Sequence, residues 1–123
     1  MTNTNQPVSD LQNVLIDMAI DGWKFSKMFT RMLGKLEAGE TTRYLSQLQY
    51  FLDKLQSNLD AAGMRLVNIE GQPYDSGVAA SALNVGDFSA DDQLVVDQMV
   101  EPIIMGADGL LRSGTIMLRK AGI

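Results

Sequence analysis

Neither cysteine nor histidine occurs in the 123 residues. Without cysteine there are no disulfides, thiolate nucleophiles or thiolate zinc sites, which suits a reducing compartment. Without histidine the commonest general base and metal ligand near neutral pH is missing, so most hydrolase and metalloenzyme arrangements fall away with it. No Lys/Arg block breaks the acidic balance of 15 Asp and Glu against 10 Lys and Arg, a formal charge of -5. A nucleic-acid or anionic-membrane surface is therefore not expected. No apolar run approaches the ~20 residues that a membrane helix needs. The N-terminus, M-T-N-T-N-Q-P-V, has neither a basic nor an apolar segment of the signal-peptide kind. The expectation is a cytoplasmic protein whose partners are proteins, with no cofactor and no metal.

What is present is apolar material, 46% of residues, enough for a core. The organising stretch is Leu94 to Leu118, rich in β-branched residues and punctuated by Pro102, Gly106, Asp108-Gly109 and Ser113-Gly114. Such punctuation reads as short strands joined by turns. Residues 1–8 read as a mobile polar tail. Ser9 stands three residues before Gln12, a capping box that predicts a helix start.

From there Leu11, Leu15, Met18, Phe25, Phe29, Met32 and Leu36 follow a heptad seam, with Gly22 in the missing step. Val14, Ile20, Trp23, Met28 and Leu33 widen it beyond one seam. Glu37 to Glu40 is read as the turn, with Gly34 and Gly39 as alternative stops and Thr41 or Thr42 as the next cap. A second helix carries Leu45, Leu48, Leu52, Leu55, Leu59 and Ala62 and ends at Gly63.

The predicted class is α+β: an antiparallel helical hairpin over 9–63, closing into a four-helix bundle in a homodimer, then a small all-β module over 64–123. Leu15, Met18, Phe25, Phe29, Leu48, Leu52 and Leu55 are the expected dimer contacts. Met64 to Ile69 reads as a strand. Val78 to Val85 fits a helical turn or a strand equally well.

The acidic group Asp87, Asp91 and Asp92 lacks the spacing of a calcium loop and reads as a solvated loop. Asp91 and Asp97 as a carboxylate pair have nothing that places them in a cleft, and the glycines at 106, 109 and 114 form no phosphate-binding motif. No catalytic residue is assigned. Met99, Met105 and Met117 read first as core fillers and second as an adaptable contact surface. Arg112 is one of four basic residues after Gly63, suited either to a salt bridge or to a charged partner contact.

Leu59 to Ile69, L-D-A-A-G-M-R-L-V-N-I, resembles the helix-to-strand passage L-x-x-x-G-(V/M)-x-x-(I/V) of the GrpE family, nucleotide exchange factors of DnaK-type chaperones. Gly71, Pro73, Tyr74 and Asp75 match the start of that family's next motif, G-x-P-(F/L)-D-P-N-x-H-E-A. Ser76-Gly77 replace Pro-Asn, and Ala79-Ala80 replace His-Glu. Val96 to Leu118 lays without a gap on the family's end, matching in kind at Val96, Met99, Leu111, Arg112, Ile116 and Leu118. Glu101 to Ile104 stand in place of Q-K-G-Y, and Gly109 in place of an arginine.

The resemblance spans roughly residues 10–120 and lacks the long N-terminal paired helix of ordinary members. It implies a dimeric co-chaperone that binds the nucleotide-binding domain of a DnaK-like ATPase and promotes ADP release. Its contact residues would be Val100, Gly109, Arg112 and Leu118, with specificity altered at Glu101 to Ile104. An adaptor of the same shape without exchange activity is the alternative.

Overall fold

Proline in a first helical turn needs no N–H partner and already holds a helical φ. The helix therefore begins before the expected cap. In the computed structural model, which describes residues 6–122, α1 spans Gln6–Leu33 and Pro7 falls in its first turn. Ser9 and Gln12 lie inside the helix, so the capping box does not mark its start, and Gln6 to Val8 are not a tail. Residues 1–5 of the expected tail lie outside the described residues. The chain divides into two units, Met1–Leu59 and Asp60–Ile123, close to the predicted boundary at Gly63.

In the first unit α1 stops at Leu33 and α2 runs over Ala38–Ala61. Gly34 is thus the effective stop, while Gly39, Thr41 and Thr42 fall within α2 and do not cap it. The Thr41 hydroxyl instead serves the end of α1, lying 3.1 Å from the Leu33 carbonyl, which accepts its hydrogen bond. That bond satisfies one of the carbonyls a helix leaves open at its C-terminus. The helices run antiparallel: the Phe51 ring lies over Gly22, and Phe29 meets Tyr44 edge-on with centroids 6.4 Å apart. Seven residues forward on α1 correspond to seven back on α2, as heptad packing requires.

The buried face of α1 is Ile16, Ala19, Ile20, Trp23, Ser26 and Leu33, whereas Leu11, Met18, Phe25 and Met32 of the predicted seam are exposed. Ser26 is tolerated inside because its hydroxyl donates to the Trp23 carbonyl at 2.6 Å. On α2, Leu48 and Leu59 are buried, and Leu52 and Leu55 half-buried.

Near the start of the second unit, the φ of +75° at Gly63 and its N–H bonded to the Asp60 carbonyl end α2 in the way only glycine does cheaply. Six strands follow: β1 (Met64–Val67), β2 (Ala80–Ala82), β3 (Leu94–Glu101), β4 (Ile103–Gly106), β5 (Gly109–Arg112) and β6 (Gly114–Lys120). A 3-10 turn at Val85–Asp87 follows β2, so the ambiguous Val78 to Val85 stretch is mainly strand. The strands form two three-stranded sheets, ordered β1-β4-β5 and β2-β6-β3. All pairings are antiparallel except β2 with β6. Residues 71–74 add a partial fourth strand along the free edge of β3, through Gly71 to Val96, Val96 to Gln72 and Tyr74 to Leu94.

The chain changes sheet three times, by a long connection between β1 and β2 and at tight corners between β3 and β4 at Pro102 and between β5 and β6 at Ser113. Pro102 is buried and has no N–H to leave unpaired where the ladder breaks. Met64, Ile69, Val96, Met99, Ile103, Ile104, Ile116 and Leu118 make the module's core. Each such side chain, fully buried, contributes about 1.5–3 kcal/mol.

Candidate functional site

The residues singled out for partner contact fall into two groups in the β module. Val100 is the extra residue of a bulge in β3: Met99 pairs with Ile116 and Glu101 with Thr115, leaving Val100 unpaired and 36% exposed. A bulge re-aims one side chain in this way. Glu101, next along, is half-buried and accepts a hydrogen bond from the Thr115 hydroxyl at 2.9 Å. Arg112 closes β5, half-buried and opposite Ile104 in the ladder.

Ile104 and Leu118 are core, with 0% and 3% of their surfaces exposed. They are corrected from contact residues to packing residues: alternation along β6 turns Leu118 inward, and Ile104 is buried beside the equally buried Ile103 on β4. Gly109 has φ +129° at the β4–β5 turn, a backbone that side chains rarely adopt. Glycine there follows from the hairpin, and an arginine would need a different turn.

Beside these positions β5 exposes Leu110 and Leu111, which the sequence did not mark as contacts. Leu111 packs its side chain where a Cβ on Gly106 would stand, 2.9 Å away, so the two glycines of the hairpin shape this edge differently. Gly106 admits Leu111, and Gly109 makes the turn. Leu111 is likewise unpaired between Leu110 and Arg112, so Val100, Leu110, Leu111 and Arg112 are accessible on β3 and β5 as two apolar bulges and an edge strand with one guanidinium. Edge strands offer unpaired N–H and C=O groups as well as side chains to a partner.

A second feature went unmarked. An open groove of about 720 Å³ is lined by Tyr74, Val85, Phe88, Leu94, Asp75 and Asp92, among others. Its two acids are engaged locally, Asp75 accepting from the Gly77 N–H and Asp92 from the Ser89 N–H. Asp92 therefore organises its own loop. Asp97 faces Arg119 at 3.3 Å and not Asp91. Among the described residues no group of three His, Cys, Asp or Glu is placed to hold a metal ion, and no helix is long and apolar enough to cross a membrane.

Asn84 clamps the Leu118 backbone, its amide donating to the carbonyl at 2.9 Å and accepting from the N–H at 2.8 Å. The side chain continues the parallel ladder where β2 has ended. No local pattern signals it, because its partner lies 34 residues away in sequence. Of the methionines considered for contact, Met99 is core and its sulfur accepts the Ile69 N–H, while Met105 and Met117 are half-buried.

The expected dimer residues divide similarly. Leu15, Met18 and Phe25 are exposed, Phe29, Leu52 and Leu55 are half-buried, and Leu48 is buried. Phe29 already meets Tyr44, so it serves the hairpin itself. Compared with protein-family models, with curated proteins and with solved structures, the chain matches none.

Proposed function

We propose that the chain is a GrpE-like co-chaperone, a dimer that binds the nucleotide-binding domain of a DnaK-like ATPase and speeds ADP release. The observation that carries this reading is the order of parts. A helical hairpin ends at a left-handed Gly63 and passes directly into a small β module, the order of parts that the resemblance at Leu59 to Ile69 implies. Val100 and Arg112 are accessible on that module, which supports their use as contacts.

An exchange factor performs no covalent chemistry. It binds the open, nucleotide-free ATPase more tightly than the closed, ADP-bound form, and by linkage weakens ADP binding by the same factor. Such a preference needs a stiff contact surface, and the buried core of the β module supports that use. Release of a fluorescent ADP analogue from the cognate ATPase should accelerate with added protein. Arg112→Glu should weaken that effect while circular dichroism stays unchanged. A release rate unmoved at saturating protein sinks the reading.

The second reading is a dimeric adaptor of this shape without exchange activity. Burial of Leu118 favours it, since one of the four carried-over contacts is then unusable, and Ile104 of the altered segment is buried too. Recovery of unrelated proteins in a pull-down, with no nucleotide-binding chaperone domain among them, would decide for the adaptor.

A further inference from the structure

We infer that the groove lined by residues 73–75, the loop 85–93 and the start of β3 is a docking site for a short basic segment of a partner protein, one that carries an apolar anchor between Lys or Arg residues. The inference goes beyond the exchange reading and does not depend on it, because the groove lies apart from the accessible bulges. Leu94, which lines it, precedes Val100 on the same strand by about 20 Å at the usual rise per residue.

Tyr74, Phe88 and Leu94 are half-buried and Val85 is 50% exposed, so large apolar side chains meet water within one concavity. Two of them are aromatic, the type enriched where proteins touch. The Tyr74 hydroxyl has no protein partner among the described residues, which leaves it to bond an incoming chain.

At about 720 Å³ the groove falls in the size range of small-molecule pockets, but such pockets enclose most of their ligand and this groove stands open. A chain laid across it with one or two side chains inserted is the occupant that fits. The walls are fixed before anything binds. The Tyr74 N–H donates to the Leu94 carbonyl at 2.9 Å, the Ala121 N–H to the Gln93 carbonyl at 2.8 Å, and the Ser89 N–H to the Asp92 carboxylate at 2.9 Å. A preformed site spends less ordering entropy on binding.

Charge selects the sign of the occupant. Asp75 and Asp92 line the groove, and Asp87 and Asp91 adjoin lining residues in sequence. Over the same positions the bases number only Lys120, beside Ala121. Asp75 and Asp92 each give one carboxylate oxygen to a backbone N–H, and the second oxygen of each has no protein partner among the described residues. Asp87 and Asp91 are exposed and form no ion pair among those residues. Lys or Arg on either side of an apolar anchor would meet these carboxylates, whereas an acidic segment, nucleic acid or an anionic bilayer would be repelled.

The test uses the full-length chain, labelled with nitrogen-15, and the peptide K-L-K-F-K-L. Amide shifts should concentrate at Tyr74, Asp75, Phe88 and residues 89–95 and should saturate, with Val100 and residues 110–112 unmoved. Changing the peptide's Leu and Phe to Ser, or its Lys to Glu, should each weaken binding at least about tenfold. Asp87→Lys and Asp91→Lys should each weaken it about two- to fivefold, an effect that shrinks at high salt. Val85→Ser should weaken it several-fold. Because these three side chains are exposed, amide positions away from the groove should stay those of the wild-type fold.

Unmoved groove amides at millimolar peptide overturn the inference. So does equal binding of the Ser peptide, which would leave only a solvated acidic face, or of the Glu peptide. Groove shifts that grow as the protein is concentrated without peptide would mean that a second copy fills it, and equal shifts with phenethylamine would mean a small-amine site. Either result overturns docking of a partner segment. Absence of peptide binding with ADP release still accelerated would remove this inference and leave the exchange reading standing.

Discussion

Val96, Ile104 and Ile116 in the β unit have no exposed surface, whereas Leu11 and Met18 on α1, equally apolar in kind, are 65% exposed. The β unit turns its apolar residues inward through two sheets and two sheet-changing corners, and it pairs the free edge of β3 with residues 71–74. The hairpin contains two amphipathic helices and encloses only part of their apolar side chains. Apolar content therefore does not distinguish the units; closure does. A six-stranded module can surround its own core, while two helices have only one mutual face and leave the next one open. The same substitution should have different consequences on the two sides of Gly63.

The largest effect is expected at Ile116. Ile116→Ala removes a side chain with 0% exposure and should destabilise the β unit by about 4 kcal/mol, read as a lowered urea midpoint and lost amide-exchange protection in β6. The matching truncation on α1, Met18→Ala, should leave the hairpin within about 0.5 kcal/mol at concentrations where the chain is monomeric. Trp23, the single tryptophan and buried in α1, reports that unit's unfolding by fluorescence. Equal losses from the two truncations would erase the contrast between a closed and an open unit.

Next in size is Gly114→Ala. A Cβ there would stand 2.9 Å from the Glu101 carbonyl oxygen and 3.0 Å from Ile103 Cγ1, at the corner where β5 gives way to β6. The carbonyl belongs to the backbone beside buried Pro102 and cannot move without opening the corner. A cost of about 2–3 kcal/mol is expected, with the unfolding midpoint as the readout.

Local signals made much of the architecture legible. Gly63, Pro102, Gly106, Gly109 and Ser113 each mark a real end or turn, because glycine and proline act through their own backbones. The start of α1 departs from its side-chain motif, because backbone geometry at Pro7 outweighs it. Ser9 to Gln12 has the composition of a capping box, but the helix already runs through it from Gln6.

Burial was harder to read. A 4-3 spacing identifies an apolar stripe on α1 without saying whether this chain or another covers it, so Met18 and Ile16 look alike in sequence and differ from 65% to 1% in exposure. Asn84 and Thr115 were invisible for another reason: their partners, Leu118 and Glu101, are set by how strands pair across the fold. The partner-contact set carried by resemblance mixed both kinds. Val100 and Arg112 remain accessible, while Leu118 is turned inward by the strand alternation of β6.

The smallest effect is expected at Gly22, and there the sign should reverse. A Cβ added at Gly22 would meet Phe51 Cζ at 3.2 Å, tight but against the far end of a side chain and not against backbone. Phe51 is 41% exposed, so its ring has room to shift by a few tenths of an ångström. Replacing glycine by alanine inside a helix gains up to about 1 kcal/mol from the restricted unfolded chain, and the displaced ring gives some of that back. Gly22→Ala should therefore stabilise the hairpin by about 0.5 kcal/mol, a small upward shift in the Trp23 unfolding midpoint. The same change of glycine to alanine is thus expected to destabilise the closed β unit at 114 and to stabilise the open hairpin at 22. A Gly22→Ala variant less stable than wild type would show that the Phe51 ring is held as firmly as the Gly114 corner, and that the hairpin is less open than its exposed stripe implies.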